Sequence, residues 1–139
     1  NLLKAGGVER SMVDMGESRA IGLAPGDRPW RIGVSDPRDG ANIVNVLEVE
    51  NRAVATSSPF GFRFDAEGNF SHIIDPRSGA TPQLHASVSV VAGQAALADA
   101  LATAFNLMDT KEIAAVLEGM TGVEAHILSH DRNWTRILA

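Results

Sequence analysis

Ala86-Ser-Val-Ser-Val-Val-Ala92 runs through Gly93 into Gln94-Ala-Ala-Leu-Ala-Asp-Ala-Leu-Ala-Thr-Ala-Phe-Asn-Leu107, and the change of pattern at that glycine decides the fold. The first segment is rich in the valine that β-sheets favour and is expected to be a central strand. The second is rich in alanine, the residue with the highest helix propensity, and is expected to be a helix over residues 94–107. Downstream, Asp109 or Thr110 caps a second helix running to about Glu118, with Ile113, Val116 and Leu117 on its apolar stripe. Ala125 to Ser129 and Trp134 to Leu138 then form a hairpin around His130-Asp-Arg-Asn133.

Upstream the pattern is of short strands. Ser11 to Met15 and Arg19 to Leu23 flank Gly16-Glu17-Ser18. Trp30 to Ser35 and Ile43 to Glu50 flank the turn Asp36-Pro-Arg-Asp-Gly40, and Val54 to Ser57 is a short buried strand. Phe60 to Phe64 and Asn69 to Ile74 are expected to pair across the loop Asp65-Ala-Glu-Gly68, which puts His72 near the end of the returning strand. The opening residues Asn1 to Val8 read as the last turns of a helix stopped by Gly6 or Gly7. Short strands followed by two consecutive helices, without repeat or linker, give one α+β unit over residues 1–139 with a mostly antiparallel sheet.

Composition narrows the function. The chain has 139 residues, a net charge of −5 and no cysteine, and its basic residues are scattered. Such a chain has no electrostatic footprint for nucleic acid and has no thiolate for catalysis or metal binding. No run approaches the roughly 20 apolar residues of a membrane span, and no signal segment opens the sequence.

Two places carry chemistry. Asp99 and Thr103 are four residues apart on a helix, so their oxygens lie one above the other on a face that alanines keep free of bulk. A carboxylate and a hydroxyl are hard ligands suited to Mg²⁺. The same pair also reads as a solvated aspartate beside a threonine bonded to its own helix backbone. His72-Ile-Ile-Asp75-Pro76 places an imidazole, the side chain suited to proton transfer near neutrality, just before a proline turn. Here the alternative is a hydrogen-bonded strand histidine with Asp75 capping the turn. His85, His126 and His130 show no ligand-type spacing among themselves.

These residues carry a family resemblance. His72-Ile-Ile-Asp-Pro-Arg-Ser-Gly79, Ala86 to Ala92 and Ala98-Asp-Ala-Leu-Ala-Thr-Ala104 resemble the C-terminal half of the ApbE family, the FAD:protein FMN transferases. Met12-Val-Asp-Met-Gly16, Arg19-Ala-Ile-Gly22, Trp30-Arg-Ile-Gly-Val34, Asp36-Pro-Arg38 and Ala53-Val-Ala-Thr-Ser57 fit upstream, in the family's order. The resemblance implies an ApbE-like, T-fold-like half that takes part in Mg²⁺-dependent transfer of FMN from FAD to a threonine or serine of a target protein, releasing AMP. It makes Asp99 and Thr103 the magnesium ligands and His72 the base. His72, Ile73 and Asp75 become flavin-nucleotide contacts.

The resemblance further implies an N-terminal half, outside this chain, that supplies a third metal ligand from a backbone carbonyl and aromatic residues that hold the flavin. Where much of the family has Gly-Gly-Asp, this chain has Gly16-Glu17-Ser18, a variant similar to the branch accessory to nitrous-oxide respiration. That branch implies a respiratory flavoprotein subunit as acceptor and a periplasmic or membrane-anchored location facing the periplasm. Two other readings are a module that binds FAD without transferring it, and a structural fragment whose open apolar face is covered by a second copy in a homo-oligomer.

Overall fold

Gly93 separates β6 (Ser87–Ala92) from α2 (Ala95–Phe105), and β6 is the centre of the molecule. The computed structural model describes residues 2–139 apart from Ala66 and Gly68. The other elements are α1 (Leu2–Ala5), β1 (Ser11–Asp14), β2 (Ser18–Ile21), β3 (Trp30–Ser35), β4 (Ile43–Val49), β5 (Ala53–Ser57), α3 (Thr110–Leu117), β7 (Glu124–Leu128) and β8 (Trp134–Leu138). Six strands form one sheet in the order β1-β2-β5-β6-β7-β8, and β3 pairs with β4 as a separate two-stranded sheet. Each of these strand pairings is antiparallel, as the α+β reading expects.

Every residue of β6 is buried because both faces of the sheet are covered. On one face Val88 and Val90 of β6 join Ala53, Ala55, Ala125 and Ile127 against Ala98, Ala102 and Phe105 of α2 and Ile113 and Leu117 of α3. On the other, Val91 joins Ala20 and Val54 under Val34, Leu47 and Val49 of the β3–β4 pair. Burying a valine or leucine side chain stabilises by about 1.5–3 kcal/mol, so the two layers hold the small sheet from both sides. The alanines of α2 let the helix lie close to β5 and β6, with small side chains meeting small ones.

Local signals fix the connections. Gly7 takes φ +82° and Val8 N–H closes on the Leu3 carbonyl at 2.9 Å, so Gly7 is the residue that ends α1. Asp109, not Thr110, caps α3: its carboxylate accepts the N–H groups of Lys111 and Glu112, and Glu112 returns a bond to the Asp109 N–H. Gly22 has φ +58°, and a Cβ there would collide with the Glu9 carbonyl oxygen, so only glycine fits.

One expected pairing is corrected. Phe60–Phe64 and Asn69–Ile74 do not form strands; the described residues retain a single bridge, Arg63 to Ser71, with Phe64 N–H bonded to the Phe70 carbonyl at 2.9 Å. Residues Ala66 and Gly68 of the intervening loop lie outside the described residues. The ladder stops because Ser71 N–H turns inward to Thr81 Oγ1 at 2.8 Å, and Phe62, Phe64 and Phe70 face solvent instead of a neighbouring strand. His72 therefore sits on an irregular extended segment, not at the end of a regular strand.

Candidate active site

Strand β5 ends at Ser57, and its alternation decides which groups meet. Val54 packs under the β3–β4 pair and Thr56 bonds Ser89 at 2.7 Å, while Ser57 turns to the helical face. There Ser57 Oγ lies 2.9 Å from Thr103 Oγ1 of α2. The Thr103 hydroxyl is thus engaged across to the strand, which is not the backbone-bonded arrangement usual for a helical threonine. Asn106 ties the same elements together: its Nδ2 donates to the Ser57 carbonyl at 3.2 Å and to the Ala102 carbonyl at 2.8 Å. Asn106 is fully buried, and its Oδ1 has no partner among the described residues.

Asp99 and Thr103 are both exposed on α2, with Cβ atoms expected roughly 5–6 Å apart from helix geometry. No hydrogen bond or ion pair engages the Asp99 carboxylate among the described residues. The pair fits a magnesium ion in kind: two hard oxygen donors on one open face, with no bulk beside them. It is a partial set. Among the described residues no group of three or more His, Cys, Asp or Glu side chains is arranged to hold a metal. Magnesium commonly takes one or two protein ligands and completes its octahedron with water and substrate phosphate.

The turn that follows β5 leads to His72. Ser58 Oγ donates to the Ala86 carbonyl at 2.6 Å and accepts the Phe60 N–H at 3.0 Å, which folds the chain so that Gly61 lies against the imidazole; a Cβ on Gly61 would sit 3.5 Å from His72 Cε1. His72 Nδ1 is 3.2 Å from the Phe62 carbonyl oxygen. A carbonyl can only accept, so Nδ1 carries the hydrogen, and in the neutral ring Nε2 is left as a proton acceptor. The ring is exposed. His72, on the returning segment, therefore lies against the Ser58–Gly61 turn that follows β5, and Thr103 is on the helix bonded to Ser57.

Ile73 is buried, 3% exposed, whereas Ile74 is 54% exposed, so Ile74 presents its side chain to any ligand of this segment. Asp75 holds the next turn. Its carboxylate accepts Arg77 N–H at 2.9 Å, Arg77 Nε at 3.0 Å and Arg77 Nη2 at 3.1 Å, and Gly79 N–H closes on its carbonyl at 2.7 Å. The Arg77 hydrogen bonds hold the Asp75 carboxyl below its ordinary range. The same device occurs at Asp36-Pro-Arg-Asp-Gly40: Arg38 N–H, Nε and Nη2 reach Asp36 at 3.1, 2.9 and 3.2 Å, and Gly40 N–H closes on Asp36 at 2.8 Å. Asp-Pro-Arg-x-Gly is a turn unit in this protein, and Asp75 acts through it.

The remaining histidines are apart from this region or otherwise engaged. His85 Nε2 is 2.8 Å from the Met108 carbonyl and His130 Nε2 is 3.0 Å from the Gln83 carbonyl. His126 is buried on β7 beneath β4, beside a cleft of about 460 Å³ lined by Glu48, Glu124, Trp134 and Arg136. A second cleft of about 470 Å³, between Gly16, Ser18, Trp30 and Thr56, also opens on the β3–β4 side of the sheet, opposite α2. Sequence reasoning did not single out Ser57 or Asn106 because neither stands in a ligand-type pattern. The only signal for Ser57 was its place at the end of a buried strand.

The fold and these groups define an antiparallel-sheet α+β protein with a partial oxygen-ligand pair and an oriented imidazole at one end of the sheet. A sequence model of the ApbE family matches residues 1–127. The chain is 32% identical to the FAD:protein FMN transferase of Treponema pallidum (strain Nichols) in an alignment covering 94% of this chain and 40% of that protein. It superposes on the crystal structure of the ApbE protein of Thermotoga maritima with a TM-score of 0.78 and 32% identity, over 92% of this chain and 42% of the other. For the flavin transferase ApbE of Vibrio cholerae the TM-score is 0.76 and the identity 31%, over 97% and 44%. This chain belongs to the ApbE family. It spans less than half the length of these relatives.

Proposed function

We propose that this chain is the C-terminal part of an FAD:protein FMN transferase and supplies half of a composite active site. The observation that carries the reading is the sharing of one strand end: Ser57 bonds Thr103, one helical turn from the open carboxylate of Asp99, and the turn after Ser57 packs against His72, whose Nδ1 is held by Phe62 so that Nε2 is the proton acceptor. In this reading Asp99 and Thr103 hold Mg²⁺, and a backbone carbonyl from an N-terminal half completes the protein ligands. The ion, when bound, neutralises charge on the phosphate oxygens of FAD.

His72 Nε2 accepts the proton of a threonine or serine hydroxyl on the acceptor protein as that oxygen attacks the FMN phosphorus. The new phosphoester bond forms as the bond from that phosphorus to the bridging oxygen breaks, and AMP leaves with the bridging oxygen. Ile73 and its neighbours, with Ile74 the more exposed, border the flavin nucleotide. Asp75 contributes by holding the turn next to them. The resemblance supports a respiratory flavoprotein subunit as acceptor and a periplasmic or membrane-anchored site of action. Among the described residues no helix is long and apolar enough to cross a membrane.

The test is complementation. This chain, alone and joined to the N-terminal half of a flavin transferase, is mixed with FAD, Mg²⁺ and an acceptor protein, and FMN attachment and FAD affinity are measured. The expected result is neither transfer nor tight FAD binding by the chain alone, and Mg²⁺-dependent recovery of both in the joined protein. Full transfer by the isolated chain refutes the divided site. A joined protein that binds FAD and never transfers FMN refutes the transferase in favour of a binding module.

A further inference from the structure

Building on the metal site just proposed, we infer that Ser57 is a positioning residue that aims the Thr103 hydroxyl at the cation. A threonine hydroxyl has one hydrogen and two lone pairs. A cation takes a lone pair and repels the hydrogen, so a ligating hydroxyl must donate in another direction. Left alone on a helix, Thr103 would donate to a carbonyl one turn back, that of Asp99, which swings its oxygen toward the helix backbone. Here the hydroxyl meets Ser57 Oγ at 2.9 Å instead. With Thr103 as donor, its lone pairs are left for a ligand on the face it shares with Asp99.

Ser57 can do this because it is itself fixed. It is paired with Val88 at the end of the β5–β6 ladder, and its carbonyl accepts Nδ2 of the fully buried Asn106. The second Nδ2 bond, to Ala102, locks that amide to α2 one residue before Thr103. Asn106 keeps this place although its Oδ1 is buried without a partner among the described residues, a destabilising condition that an apolar side chain would avoid. Packing alone does not call for an amide there; a fixed distance between the Ser57 strand end and the Thr103 turn does. The sequence Thr103–Ser57–Asn106–Ala102 is therefore a closed tie between the strand and the helix, built around one hydroxyl.

The experiment uses the full-length protein and Mn²⁺ as a magnetic probe, with affinity read from water-proton relaxation in the absence of FAD. Ser57→Ala is expected to weaken Mn²⁺ binding about tenfold, the lower range for loss of an outer-shell partner. The metal-free thermal midpoint should stay at the parent value, and Ser57→Thr, which keeps a hydroxyl, should restore the affinity. Parental affinity in Ser57→Ala, alongside lost affinity in Asp99→Ala, overturns the role of Ser57 and leaves the metal site standing. A lowered midpoint without metal that Ser57→Thr does not repair also overturns it, because Ser57 would then be structural. Parental affinity in both Ser57→Ala and Asp99→Ala overturns the metal site itself.

Discussion

His72 and Phe62 are joined twice: the backbone N–H and the ring Nδ1 of His72 both approach the Phe62 carbonyl oxygen at 3.2 Å. The double attachment fixes both the ring plane and the tautomer without using another side chain. Because the anchor is a backbone carbonyl, substitution of neighbouring side chains leaves it in place. In the proposed reading the imidazole, in contrast, is the one part of this arrangement that needs a proton acceptor.

His72→Ala in the full-length protein is accordingly expected to bind FAD nearly as well as the parent and to transfer FMN about 10²- to 10⁴-fold more slowly, the usual contribution of a general base. Equilibrium FAD binding and single-turnover transfer separate the two effects. A variant that loses FAD affinity while keeping its maximal rate would show that His72 is a nucleotide contact and not the base.

The elements were legible where one pattern dominated. The valines of β6 and the alanines of α2 signal strand and helix through propensity alone, and a capping residue at Asp109 or Thr110 marks the start of α3, which the structure resolves to Asp109. The segment from Phe60 to Ile74 misled because its aromatic residues carry strand propensity, yet propensity cannot supply a neighbouring strand; Ser71 bonds Thr81 and the ladder ends. The position of Asp99 and Thr103 on one face followed from helical spacing. Their relation to Ser57 did not, since a contact between residues 46 positions apart depends on how β5 and α2 pack. Asp75 as the cap of its turn was one reading of the sequence; that the cap is a repeated clasp shows beside Asp36, where the same five-residue unit makes the same bonds.

The two proposed oxygen ligands, Asp99 and Thr103, differ in charge, and that sets an order. Asp99→Ala is expected to abolish Mg²⁺-dependent transfer while leaving the protein folded, because the side chain is exposed and contributes little to packing. Thr103→Ala removes only a neutral ligand and should weaken Mg²⁺ less. Calorimetric titration with Mg²⁺ in the presence of FAD gives the order directly; affinity in Asp99→Ala equal to the parent's would remove the carboxylate from the metal site.

Acid is expected to destabilise the fold through His126. His126 is 5% exposed, and neither ring nitrogen has a hydrogen-bond partner among the described residues. Its Nε2 lies 3.4 Å from Glu124 Oε2. Burial lowers the pKa of His126, and the opposing pull of Glu124 does not cancel it. Arg52 and Arg136 also hold that carboxylate and repel a protonated ring. Trp134 of β8 faces the ring with centroids 5.9 Å apart, Ser89 of β6 is its cross-strand partner, and Glu48 and Asn45 of β4 line the cleft above. With the folded pKa below the ordinary value of about 6.5, the unfolded chain takes up a proton that the folded chain refuses. Stability from this group is complete above about pH 6.5 and falls as the pH drops toward the folded value, by at most about 1.4 kcal/mol per pH unit. Urea midpoints at pH 7.5 and 5.5 should fall in the parent, and fall less in His126→Phe, which keeps the ring volume and removes the proton site. An equal fall in both proteins would assign the acid sensitivity to other groups and leave His126 without a part in it.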